Sequence, residues 1–134
     1  MTKKRGTLSN SRPRAPRPGD ATLTQLTQAA LRFRDERDWK QFHNAKDLAL
    51  TLSLEAAEVL EHMQWKESAE LEKYLASHRD EVADELSDVL HVTLLLAEHL
   101  QIDLAAAFAK KLVKNAKKYP VQKARGTHRK YTQL

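Results

Sequence analysis

Asp47-Leu48-Ala49-Leu50-Thr51-Leu52-Ser53-Leu54-Glu55-Ala56-Ala57-Glu58-Val59-Leu60 is the stretch that decides the fold. At about 3.6 residues per turn it is apolar almost all round, leaving Thr51, Glu55, Glu58 and His62 as one narrow polar stripe between leucines. A helix of that kind is normally buried among other helices. Glu55 and Glu58 are three residues apart, so their carboxylates share a face and can close on a single cation.

A second stretch, Glu81-Val82-Ala83-Asp84-Glu85-Leu86-Ser87-Asp88-Val89-Leu90-His91-Val92, repeats the arrangement with Glu85 and Asp88. Its polar stripe runs on through Glu81, Glu85, Asp88, Val92 and Leu95, turning from acidic to apolar along one face. A solvated acidic face paired with lysines would not continue as core, so these carboxylates are expected to point inward. Inward carboxylates are costly to keep ionised without a compensating cation. Glu55, Glu58, Glu85 and Asp88 therefore read as a metal site. Oxygen-only ligands favour Mg²⁺, with Mn²⁺ able to substitute, over zinc, and Mg²⁺ commonly takes substrate phosphates as well.

The rest of the chain of 134 residues fits one all-α domain. Only three Gly, four Pro and 6% aromatic residues argue against a sheet, and the absence of Cys removes disulfide and thiol chemistry. No apolar run reaches transmembrane length, and the first residues carry no hydrophobic segment of signal-peptide type, so a cytoplasmic protein without a membrane partner is expected. The net charge of +5 is unevenly placed. Residues 1–20 hold six basic residues and one acid, residues 21–103 eight and seventeen, and residues 104–134 nine and none. An acidic body followed by a basic segment suits a metal-bound polyphosphate ligand.

Residues 1–20 have almost nothing to bury and read as a disordered basic tail, leaving 21–134 as the folded domain. Asp20 or Thr22 is expected to cap a first helix that buries Leu23, Leu26, Ala30 and Phe33 and ends near Arg37. A loop over 38–44 leads to the apolar helix of about 45–64, followed by a charged connection with room for a short helix around Leu71 and Leu75. A third helix covers about 79–100, and a fourth runs from Asp103 to Tyr119, where Pro120 stops it. These make four main helices. In the fourth, the apolar stripe of Leu104 and Phe108 continues into Lys111 and Asn115, a point charge and a neutral hydrogen-bonding group suited to phosphate oxygens.

Several ordered motifs resemble one family. Glu55-x-x-Glu58, 26 intervening residues and Glu85-x-x-Asp88 are similar to the metal signature of the all-α nucleoside triphosphate pyrophosphohydrolases of the MazG superfamily. Phe33-Arg34-Asp35-Glu36-Arg37-Asp38-Trp39-Lys40-Gln41-Phe42-His43, Gln64-Trp65-Lys66 and Lys111-x-x-x-Asn115-x-x-x-Tyr119-Pro120-Val121 resemble its dCTP pyrophosphatase branch, as does the late Arg125-Gly126-Thr127-x-x-Lys130-Tyr131-Thr132. The resemblance implies a homo-oligomer, commonly a tetramer, with Mg²⁺ on the four carboxylates, Lys111 and Asn115 on the phosphates, and Trp39 and Trp65 around the base. Read alone, either tryptophan would be core or interface.

Three positions depart from the pattern: Leu54 where many members have Glu, Ala30 where the branch has His, and Val92 where it has Tyr. The expected activity is hydrolysis of a nucleoside triphosphate, dCTP-like pyrimidines first, to the monophosphate and pyrophosphate, with Glu58 as general base and Lys111 on the leaving group. Trp39, Trp65, Phe33 and His43 are the expected surroundings of the base, with looser discrimination than in the branch. The rival readings are a non-catalytic bundle and a di-iron carboxylate bundle, the latter lacking a second Glu-x-x-His-like copy beside Asp88-x-x-His91. A nucleic-acid partner is disfavoured by the acidic body. Four helices with this much apolar surface also exceed what one small bundle can cover, so packing between copies is expected.

Overall fold

In the computed structural model, residues 18–134 are described, and the reading of a disordered tail lies outside them for 1–17. Pro18–Asp20 forms a single 3-10 turn, and the domain proper begins with α1, Leu23–Asp35. Thr22 caps it, accepting from Gln25 N–H while the Gln25 side chain bonds back to Thr22 N–H at 2.8 Å. This capping box leaves Asp20 outside the helix. The chain then turns at Asp38, in the left-handed region at φ 53°, into a 3-10 helix over Trp39–Phe42.

The remaining α-helices are α2 (Ala45–Glu61), α3 (Ser68–Ser77), α4 (Arg79–His99), α5 (Leu104–Lys118) and α6 (Val121–Ala124). Among the described residues there are thus six α-helices rather than four, and no strand. The two additions are short: α3 falls in the charged connection that had room for a short helix around Leu71 and Leu75, and α6 follows the Pro stop. Pro120 supplies the N-cap of α6, since its fixed φ suits a helix start as well as a helix end.

The fold centres on α2 packed along α4, with α1 crossing α4 and α3 touching it. Ala30, Leu48, Val92 and Leu95 close the small core between them, with Leu31, Leu52 and Leu96 packed around it. The stripe read in α4 is therefore real, since Val92 and Leu95 are buried one and two turns beyond Asp88. On α1 the buried residues are Ala30 and Arg34, whereas Phe33 is 42% exposed.

Two expectations of burial are corrected. The apolar helix α2 buries only Leu48, leaving Leu50, Leu54 and Leu60 exposed, because α4 covers one of its faces and no other described helix packs extensively on the rest. Phe108 of α5 is 64% exposed rather than core. The reason lies at Leu100–Asp103: Gln101 takes a left-handed φ of 57°, and α5 leaves α4 at a bend of 102°. α5 has no extensive packing against any other helix. No single described helix is long and apolar enough to cross a membrane.

Candidate active site

Antiparallel packing of α2 and α4 brings the two carboxylate pairs together. Glu55, Glu58 and Glu85 offer oxygens that all lie within 4.8 Å of one another. Asp88 joins them electrically, since its charge raises the pKa of both Glu55 and Glu85. For Glu55 the main cause of the upward shift is burial, followed by the charges of Glu58 and Asp88. For Glu85 burial again leads, then the Glu58 charge and a hydrogen bond with Glu58, and His62 alone opposes it. The carboxylates point into the helix interface but not into a dry core: Glu55 and Glu85 are half-buried, and Glu58 and Asp88 are exposed.

The ion pairs among the described residues are Arg34–Asp35, Arg37–Glu36 and Lys46–Asp47. Among the described residues, no Lys or Arg forms an ion pair with the four carboxylates. Four mutually repelling acids held together without a protein cation fit a divalent metal bound through oxygen. Asp47, nearby on α2, is already engaged: Asn44 donates to it at 2.5 Å, and that bond, with Lys46, holds its pKa below the usual carboxylate range.

Glu55 and Asp88 also form one end of a groove of about 920 Å³. Its other end is aromatic, with Phe33, Trp39, Phe42, His43 and His91, over a floor that includes Ala30, Leu48, Val92 and Leu95. Trp39 and His91 both meet Phe33 edge-on, at centroid distances of 5.9 and 5.6 Å. Arg37 lies 3.6 Å above the Phe33 ring and so already occupies one of its faces. Phe33 is thereby a wall that positions Trp39. The packing of His91 against Phe33 places that imidazole with the aromatic end rather than in the three-glutamate cluster.

Of the expected site residues, the chain brings together Glu55, Glu58, Glu85, Asp88, Phe33, Trp39 and His43. It does not bring Trp65, Lys111 or Asn115 to them. Trp65 stands 89% exposed at a left-handed φ of 66° after the end of α2, and it does not line the groove. Lys111 is exposed on α5 and Asn115 half-buried there, both away from the groove lining. Two groove residues escaped the sequence reading. Arg34 is 8% exposed and lines the groove one turn after Ala30, so the available signal was a charge on the stripe of Leu26 and Ala30. Phe42 was visible only as part of a loop.

The sequence matches the MazG-like family over residues 50–134. It is 36% identical over 136 residues to dCTP pyrophosphatase 1 of Mus musculus, spanning 97% of this chain and 80% of that protein. The Homo sapiens protein of the same name is 38% identical over 117 residues, covering 86% of this chain and 69% of the relative. Among solved structures, a pyrophosphatase of Archaeoglobus fulgidus superposes with a TM-score of 0.69 at 37% identity, over 73% of this chain and 92% of that one. A helical fold built around paired carboxylates, with relationships of this extent, defines a hydrolase of the nucleotide pyrophosphatase class. The chain belongs to the MazG-like family.

Proposed function

We propose that this protein is a Mg²⁺-dependent pyrophosphohydrolase of deoxynucleoside triphosphates, with dCTP-like pyrimidines preferred, acting in the cytoplasm as a homo-oligomer, most simply a tetramer. The observation that carries this is the groove itself. It joins a four-carboxylate cluster to an aromatic recess, as a nucleotide with a charged tail and a flat base requires. Glu55, Glu58, Glu85 and Asp88 would hold the cation. When bound, it neutralises triphosphate charge and acidifies the attacking water.

Glu58, the exposed member of the three-glutamate cluster, orients that water and takes its proton. Attack on the α-phosphorus breaks its bond to the α,β-bridging oxygen, which departs with pyrophosphate. Trp39 offers its ring to the base, and stacking of this kind contributes about 1 to 3 kcal/mol. Lys111, Asn115 and Trp65 reach the site from a neighbouring copy. That assembly would cover Leu54, Leu60, Phe108 and Leu112, which one chain leaves exposed.

Incubating the protein with each dNTP and Mg²⁺, and assaying pyrophosphate, tests the reading. Monophosphate and pyrophosphate in equal amounts are expected. Orthophosphate as the direct product, or no turnover of any triphosphate, overturns it.

A further inference from the structure

The floor of the aromatic end, Ala30, Leu48, Val92 and Leu95, offers no hydrogen-bonding side chain to a base. Besides His91, which packs against Phe33, two polar groups line the groove there. Arg34 is a charged residue buried to 8% exposure, and its ion-pair partner is its own chain neighbour, Asp35, whose side chain is about half exposed. Nε and Nη2 of Arg34 both end on one Asp35 oxygen, at 2.7 and 2.6 Å. A guanidinium carries five N–H donors, so Nη1 and the second Nη2 hydrogen retain donors with no protein acceptor among the described residues.

His43 is the second group. Its Nδ1 is buried without a hydrogen-bond partner. Buried polar atoms are seldom left in that state, and the deficit is typically made up by a ligand or ordered water. Burial first, then the charges of Arg34, His91 and His99, hold the imidazole pKa below its usual value, so the ring is neutral near pH 7 and one nitrogen can accept.

We propose that Arg34 and His43 read the Watson–Crick edge of cytosine, Arg34 donating to N3 and O2 and His43 Nδ1 accepting from the N4 amino group. This rests on the pyrophosphohydrolase reading and names its specificity residues. A guanidinium pairs best with two adjacent acceptors in one plane. On their Watson–Crick edges, uracil and thymine present an N3–H donor at the critical position, guanine presents N1–H and amino donors, and adenine has a single ring acceptor. Cytosine alone offers two adjacent acceptors beside a donor.

Equilibrium binding of dCMP, 3-deaza-dCMP and dTMP, followed by tryptophan fluorescence, tests this without requiring turnover. The 3-deaza analogue lacks the N3 acceptor and should bind the wild type about ten- to a hundredfold more weakly than dCMP. Arg34→Leu should weaken dCMP by a similar factor, add little further loss for the analogue, and collapse the preference for dCMP over dTMP. His43→Ala should cost less, and should abolish discrimination between dCMP and its pyrimidin-2-one counterpart, which lacks only the N4 amino group. Equal binding of dCMP and 3-deaza-dCMP by the wild type overturns the proposal even if Arg34→Leu cannot be folded. An Arg34→Leu protein that weakens all three ligands by one common factor overturns it too, since that is the mark of a structural role. Absence of pyrophosphate release would refute the reaction and leave this base preference separately measured.

Discussion

Glu58 and Glu85 face each other across the α2–α4 interface with carboxylate oxygens inside a 4.8 Å cluster, and Glu58 helps push the Glu85 pKa upward. Such a contact between like charges persists because Leu48 and Leu52 of α2 pack with Val92, Leu95 and Leu96 of α4. A bound cation would relieve that repulsion.

The first prediction follows from the sign of that shift. Glu55 and Glu85 have folded pKa values above the ordinary 4.5, so the metal-free fold binds their protons more tightly than the unfolded chain does. Their contribution is fully favourable below 4.5 and is lost as pH rises through the folded values. Thermal melts in EDTA should therefore show Glu85→Gln more stable than wild type at pH 7.5 and indistinguishable at pH 4. Added Mg²⁺ should raise the wild-type melting temperature more at pH 7.5 than at pH 5, and should do little for the variant.

Replacing Glu58 or Asp88 with Ala should lower kcat by about a hundredfold or more, since metal charge stabilisation is worth several kcal/mol. The helical circular-dichroism signal should stay intact. Glu61, Glu81 and Asp84 are exposed, outside the cluster and without ion pairs among the described residues, and their Ala variants should retain substantial activity. Unfolding of the Glu58 or Asp88 variant would point to a structural pair instead.

His43 supplies an acid-side slope. Its lowered pKa means the unfolded chain takes up a proton first, so stability falls as pH drops below 6.5 towards the folded value. Above 6.5 the group is silent. His43→Gln should flatten the decline of melting temperature between pH 6.5 and 5, and an unchanged slope would show that another group titrates there.

Leu48, 4% exposed, is the most buried residue of α2 and joins Ala30, Val92 and Leu95. Leu48→Ala should cost about 2 to 5 kcal/mol in unfolding free energy by urea titration, and it removes groove floor as well. Leu54→Asp, on an exposed face, should leave chain stability much less affected but reduce the assembled mass in light scattering. A fully assembled Leu54→Asp protein would mean that another face forms the interface.

The fold was legible where one helix face carried one kind of information. The run from Glu85 and Asp88 into Val92 and Leu95 gave away both the packing of α4 and the direction of its acids, because both lie on a single stripe. α2 misled for the opposite reason: hydrophobicity on every side states that the helix will be covered but not by which chain. Leu71 and Leu75 hinted at the short α3, whereas the four-residue α6 is too short to carry such a stripe. Trp39 and Trp65 look alike in sequence, yet the 3-10 turn at Trp39 delivers one to the groove while the left-handed backbone at Trp65 presents the other outward. Arg34 stayed hidden because a charge on an amphipathic helix that also carries Arg32 and Asp35 is ordinarily assigned to solvent.

The 102° elbow at Gln101 has a consequence for how this enzyme would behave in a cell. On the proposed function, a helix thrown outward with Lys111 and Asn115 would serve a neighbour's substrate rather than its own. Specific activity should then fall on dilution, and two inactive variants, one lacking Glu58 and the other Lys111, should regain turnover when mixed. Output would rise more steeply than protein abundance, so modest changes in expression would act as a threshold on nucleotide clearance.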